Sequence, residues 1–160
     1  MATLIGAGSH ATDIAHTYWF DRYIPHHDQY VDDRTPYIIG INNPKTRSDI
    51  ASQIGRDDAA WIHPDAYLGP ETTYGPGTHI NYNTSMTRTR IGRHCTISPG
   101  ANICGDVIIG DRVLIGAGAV ICDRTTIHND VTIGAGAVIL PESTLVSNST
   151  WVGVPGKQIR

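Results

Sequence analysis

Residues 91–121 read IGRHCTISPGANICGDVIIGDRVLIGAGAVI, and every sixth position from Ile91 is isoleucine. The series runs on through Ile127, Ile133 and Ile139 to Leu145. Two residues before each aliphatic stands a small or β-branched residue: Thr89, Cys95, Ala101, Val107, Val113, Ala119, Thr125, Val131, Ala137 and Ser143. Glycine follows the aliphatic at Gly92, Gly110, Gly116 and Gly134. An α-helix repeats a face every 3.6 residues and a simple strand every second residue, so neither accounts for a period of six. Short parallel strands joined by tight corners do, each contributing one large side chain to the inside of a prism. The reading is a β-helix of hexapeptides, three to a coil.

The same rhythm precedes this run in another register, through Ile62, Leu68, Tyr74, Ile80 and Met86. Met86 to Ile91 is one residue short, which places a shortened corner between the two runs. Residues 18 apart should stack in neighbouring coils, or 17 apart across the short corner, with coils roughly 4.8 Å apart. The prism is expected over about 59–150.

Residues 1–58 follow a different pattern. Ala2–Ile5 reads as a buried strand, followed by a helix over about Ser9–Trp19. Further strands fit near Gln29-Tyr30-Val31 and over Tyr37–Ile41, and a helix fits Pro44–Ile54 with Asn43 as N-cap. Gly6-Ala7-Gly8-Ser9-His10-Ala11 lies between strand and helix, where backbone amides can approach a phosphate. Asp32 and Asp33 follow at the distance of a ribose-binding acid. The plain alternative is a tight turn packing helix on sheet. A full dinucleotide-binding unit needs more strands than this segment holds.

The 160 residues carry a net charge of −3 and no basic cluster, which argues against nucleic acid and anionic membranes as partners. No apolar stretch is long enough to span a membrane. Cys104 and Cys122 stand 18 apart, and Cys95 takes an inward position; they read as packing thiols of a reducing compartment, by default the cytoplasm. A zinc hydratase on a prism of this kind needs a histidine pair on one strand, and 59–150 holds none. No metal site is expected.

These parts together resemble the sugar-nucleotide acetyltransferases of the sialic-acid O-acetyltransferase and bacillosamine-pathway N-acetyltransferase type, within the hexapeptide-repeat acyltransferases. The resemblance is carried by Ile5–Ala11, Tyr30-Val31-Asp32-Asp33, Ile62-His63-Pro64 and Ile97–Ala101 through Gly105. The twin Ile-Gly-Ala-Gly-Ala stretches at 115–119 and 133–137 and the closing Val152–Lys157 complete it. It implies a reduced Rossmann-like α/β unit over 1–58 and a left-handed parallel β-helix over 59–160, with a tail at 152–160, assembled as a homotrimer. It implies acetyl-CoA as co-substrate and a nucleotide-linked amino sugar as acceptor. Gly6, Gly8, Ser9, His10, Asp32 and Asp33 would hold the sugar nucleotide. Acetyl-CoA would run past Thr96, Gly105, Ala117 and Ala135 to Val154, Pro155 and Lys157. The Gly105 amide would donate to the thioester oxygen.

The chain departs from the family at the catalytic base. The family's histidine falls in the corner Thr87-Arg88-Thr89-Arg90, which has none, and its second histidine falls at Thr96. Counting back 18 from Gly105 reaches Thr87. His79, 17 before Thr96, and His94, on the next corner, are the candidate replacements. Thr87 and Arg88 become candidate acceptor contacts, since a guanidinium binds carboxylate or phosphate bidentately. Two functions stay open: acetyl transfer to an amino or hydroxyl group of a nucleotide-linked sugar, and a trimeric relative that binds ligand or acts as scaffold without chemistry.

Overall fold

The computed structural model describes residues 2–6, 11, 14, 20–24 and 36–160. Strands β1 (Ala2–Ile5), β2 (Phe20–Ile24) and β3 (Tyr37–Ile39) form a parallel sheet in the order β2-β1-β3. Ala11 and Ile14 are helical and fully buried, as the first helix required. The strand expected near 29–31 lies outside the described residues. The strand found at Phe20–Ile24 was not anticipated, because Phe-Asp-Arg-Tyr-Ile offers little alternation to read.

Helix α1 (Pro44–Ile54) forms where its end signals place it. Thr46 N donates to Asn43 Oδ1 at 3.0 Å, satisfying an orphan amide, and Pro44 opens the helix with a preset φ. Gly55 closes it at φ 82°, a left-handed cap. Its buried face carries Pro44, Arg47, Ile50 and Ala51.

From Trp61 the chain winds into the prism, a parallel left-handed β-helix of about five coils. Its first sheet holds Trp61–Ile62, His79–Ile80, Thr96–Ile97, Leu114–Ile115, Thr132–Ile133 and Thr150–Val152, ended by antiparallel Lys157–Gln158. The second holds Tyr67–Leu68, Ser85–Met86, Asn102–Ile103, Val120–Ile121 and Val138–Ile139. The third holds Thr73–Tyr74, Arg90–Ile91, Ile108–Ile109, Thr126–Ile127 and Thr144–Leu145. The inward aliphatics from Ile80 to Leu145 and the small residues between them make one continuous core. Tyr74 departs from the inward series. It lies in the first coil, at the end of the stack, and is 44% exposed.

Each coil has three corners, named here first, second and third after the sheets they leave. In most coils one corner residue has positive φ: Glu71, Arg88, Asp106, Arg124 and Glu142 at the second corner, and His94, Arg112, Asp130 and Asn148 at the third. These columns pair between coils, Arg88 with Asp106, Arg112 with Asp130 and Arg124 with Glu142. The three cysteines are free thiols.

Cys95 is fully buried, and burial pushes its thiol from 9.0 up to about 12. A thiol with a raised folded value stabilises the fold below the unfolded value and loses that contribution as pH rises toward the folded one. Stability should therefore fall between pH 9 and 12, by about 1.4 kcal/mol per pH unit for this group. Urea titrations at pH 9 and pH 11 should show a loss smaller by that slope in Cys95→Ala. Equal losses in both chains would exclude Cys95 as the source.

Candidate functional site at the prism corners and the α/β junction

The register shows where the repeat is short. Ile103 pairs with Met86, 17 back, and Ile109 pairs with Ile91, 18 back. Arg88 stands in the positive-φ column with Asp106, and its amide donates to Pro70 O, as Glu142 N does to Asp123 O. Thr87 therefore stacks under Cys104, and the absent residue is the one that would lie under Gly105. The count of 18 from Gly105 to Thr87 is corrected accordingly.

Arg88 fills that space. A side chain on Gly105 would collide with the Arg88 guanidinium, which is itself held by Asp106 through Nε at 2.9 Å and Nη2 at 3.3 Å. The Arg88 hydrogen bond holds the Asp106 carboxyl below the usual carboxylate range. The Gly105 amide donates to Asp123 Oδ1 at 2.9 Å. In this arrangement the expected oxyanion donor already has an acceptor, one coil further on.

His79 and Thr96 are register partners on the first sheet, as the 17-residue spacing required. Both are fully buried. His79 meets the Trp61 ring edge-on at 5.9 Å, and the Thr96 hydroxyl donates to Asn42 O and accepts from Arg47 Nη2. The α/β unit covers this face, so neither residue is open to solvent in the single chain.

What holds the cover is Arg47, which the sequence reading passed over. Its Nε donates to Gly77 O at 2.7 Å. Its Nη2 donates to His94 O and Cys95 O at 2.8 and 2.7 Å, and its Nη1 to Ile41 O at 2.5 Å. The guanidinium is fully buried; desolvation pulls it down to about 10 while the nearby Asp58 carboxylate holds it up, so it is charged at neutral pH. One signal was available: Arg47 falls on the apolar face of α1 with Pro44, Ile50 and Ala51, where a cation needs a reason. Asp58, in the linker, carried none.

His94 takes the third corner. Its Nδ1 lies 3.2 Å from Asp58 Oδ1, with the Asp58 side chain 0% and the His94 side chain 7% exposed. It borders a cavity of about 570 Å³ shared by α1, the linker and the next coil.

The other candidates separate by edge. Ala117 and Ala135 are exposed and stack on the first corner, where Gly136 N donates to Ala117 O and Gly118 N to Pro99 O. The ridge ends at the tail, where Val138 N donates to Gly153 O and Gly156 N to Val138 O. Val154, Pro155 and Lys157 are exposed there, Val154 at 72%. Gly6 follows β1, with φ 120° and Gly40 O against it. Gly8, Ser9, His10, Asp32 and Asp33 lie outside the described residues.

With this geometry in place, the repeats can be compared with known proteins. The family model described as bacterial transferase hexapeptide (six repeats) matches residues 88–123 and 106–141. The matched stretch, 88–141, lies within the prism and carries the six-residue pattern of that model. No curated protein sequence matches the chain. Among solved structures, this hexapeptide protein is similar to the acetyltransferase domain of PglB from Neisseria gonorrhoeae FA1090, at 22% identity and TM-score 0.81, over 99% of this chain and 98% of that one. It is similar to the same domain in complex with acetyl coenzyme A, at 21% identity and TM-score 0.77, over 99% and 98%. It is also similar to a mutant of perosamine N-acetyltransferase from Caulobacter crescentus in complex with CoA and GDP-perosamine, at 20% identity and TM-score 0.75, over 99% and 96%. These likenesses extend over the α/β unit as well as the hexapeptide prism. Among the described residues no helix is long and apolar enough to cross a membrane.

Proposed function

We propose that the chain is an acetyl-CoA-dependent acetyltransferase acting on an amino, or hydroxyl, group of a nucleotide-linked sugar. The observation that carries this reading is full-length likeness. Both parts of the chain, in the same order, match structures holding acetyl coenzyme A or CoA with GDP-perosamine. In this reading residues 1–58 hold the acceptor and 59–160 carry the transferase prism, with acetyl-CoA along the Ala117–Ala135 ridge and the tail. The ridge, Gly105 and His94 occupy three different edges of one prism. Joining them takes neighbouring copies, which supports a homotrimer with its site between chains. We place the enzyme in the cytoplasm, where its co-substrate and free thiols are at home.

The test is thiol release from acetyl-CoA against a panel of GDP-, UDP- and dTDP-linked 4-amino sugars. Turnover with at least one is expected, and none with any of them would sink the reading. Lys157, exposed at the tail, should meet the phosphates of CoA. Lys157→Ala is expected to raise the KM for acetyl-CoA about tenfold, equivalent to about 1.4 kcal/mol, with kcat little changed. An unchanged KM would remove that contact.

One observation favours a second reading, a trimeric relative that holds ligand or acts as scaffold without transferring acetyl. Arg88 occupies the space beneath Gly105, and the Gly105 amide is engaged by Asp123. Under this reading calorimetry shows acetyl-CoA binding with no thiol release, and inserting one histidine between Thr87 and Arg88 confers turnover. Turnover by the unaltered chain excludes it.

A further inference from the structure

We infer that His94, beside the buried carboxylate of Asp58, is the general base of the transfer, and that the cavity it borders receives the acceptor amine. The inference rests on the acetyltransferase reading above. It assigns the base to the third corner, away from the corner where the repeat is short.

The pair is built into the junction. Asp58 is the last residue of the linker before the prism, and its backbone is tied to both units. Gly77 N donates to Asp58 O at 2.9 Å, and the next residue's amide, Ala59 N, donates to Tyr37 O at 2.8 Å. His94 is fixed from below by its amide on Pro76 O and from the side by Arg47 on its carbonyl. Gly77 lies beneath both side chains at φ 67°, and a Cβ there would run into His94 Nδ1 and Asp58 Oδ1 together. The room for this pair exists only because that position is glycine.

A carboxylate with no solvent exposure needs compensation. Arg47 supplies a full positive charge close by. His94 Nδ1 faces Asp58 Oδ1 at 3.2 Å, within ion-pair range, and neither atom makes a hydrogen bond within the fold. Nδ1 is buried, which leaves Nε2 as the ring nitrogen that can face an acceptor. A carboxylate against one ring nitrogen and an acceptor facing the other are the parts of a general base. His79 is fully buried and is not among the residues that line this cavity.

The cavity suits a hydroxylated, phosphate-bearing acceptor. Ser48 and Ser52 of α1 line one side, with Arg56, Arg93 and Arg112 and the carboxylates of Asp57 and Asp111 around the rest. In the reaction the acceptor nitrogen attacks the thioester carbonyl carbon and forms the C–N bond, while the carbonyl π pair moves to oxygen. Collapse of that intermediate re-forms the carbonyl and breaks the C–S bond, releasing CoA as thiolate. Nε2 takes the proton lost by nitrogen and returns it to the sulfur. Amine and acetyl-CoA become amide and CoA thiol, with nothing left over.

The charged groups around the ring are Arg47 from α1, Arg56 and Asp57 from the linker, Arg93 on the same corner, and Asp111 and Arg112 from the next coil. Arg93 pairs with Asp57, and Arg112 with Asp130, so Asp58 is the anion that acts on His94 directly.

The experiment is the pH profile of acetyl-CoA turnover for wild type, His94→Gln and Asp58→Asn, with circular dichroism melts confirming that each is folded at the assay temperature. His94→Gln should lower kcat by about 10²- to 10⁴-fold. Its KM for acetyl-CoA should stay within about twofold, because the donor is held on another edge. Asp58→Asn removes the group that faces Nδ1 and should lower kcat by less than His94→Gln does, with the KM for acetyl-CoA unchanged. If Asp58→Asn does not fold, the limb and kcat of His94→Gln decide alone. An active wild type whose His94→Gln form keeps the same kcat and acidic limb overturns the assignment and leaves the acetyltransferase reading standing. A wild type that releases no thiol with any acceptor removes both.

Discussion

Arg47→Met is expected to lower the stability of the α/β junction by about 3–5 kcal/mol, because it strands buried partners as well as deleting contacts. The carbonyls of Gly77, His94, Cys95 and Ile41 lose their donor, and each buried acceptor left unmet costs about 1–3 kcal/mol before relaxation. Asp58, buried beside His94, loses the Arg47 charge that lies near it. Methionine replaces much of the volume, so the loss reports polar satisfaction rather than a cavity. Of these groups only the Cys95 carbonyl belongs to a residue of the prism core, so the α/β unit should come away first. In a Trp19→Phe, Trp151→Phe background, urea unfolding followed by the fluorescence of Trp61, at the junction, should then precede the loss of prism circular dichroism. In the double variant with Asp58→Asn, about 1–3 kcal/mol should return as the stranded charge is removed. A single coincident transition at the wild-type midpoint would show that Arg47 does not hold the units together.

Ile115→Ala should have a comparable effect for a different reason. Ile115 is fully buried in a middle coil and pairs in register with Ile97 below and Ile133 above. Removing three heavy atoms there forfeits transfer energy and opens a void that rigid coils on both sides cannot close, at a cost of about 2–5 kcal/mol. Each coil contacts only its neighbours, so the stack is interrupted in the middle rather than trimmed at an end. The urea midpoint of the prism transition should fall with its slope unchanged. A shift below about 0.5 kcal/mol would mean that the coil refills the space.

These two residues mark what a one-dimensional reading can see. Ile115 belongs to a series whose period is the geometry of the prism: one inward side chain per face, three faces per coil. Burial, register and stacking follow from counting, and so did the His79–Thr96 pairing across the short corner. Helix α1 was legible in the same way, because Asn43, Pro44 and Gly55 each solve a local backbone problem at the position where they stand. Strand β2 was not, since its evidence lies in pairing with β1 and not in its own five residues.

The short corner was visible, but its consequence was not. Counting located a missing residue between Met86 and Ile91, and four positions could have absorbed it. The positive-φ column decides among them, because Arg88 must align with Glu71 and Asp106 for the coils to pair. That alignment puts the gap beneath Gly105 and the Arg88 guanidinium into it. The Asp123 side chain on the Gly105 amide was equally out of reach, being a contact between coils.

The order of the residues alone determined the prism, its core, its stacking and the kind of unit that precedes it, because each is a periodic or local property of the chain. Only the tertiary structure decided how the α/β unit sits on the first sheet, and with it the fate of the candidate histidines. His79 is sealed beneath the cover, while His94 meets Asp58 at the edge of an open cavity. Asp58 and His94 are 36 residues apart, and Arg47 is a further 11 back, with no period linking them. What joins them is that a buried cation, a buried carboxylate and a ring must satisfy one another where two surfaces close, and that condition exists only once both surfaces are folded.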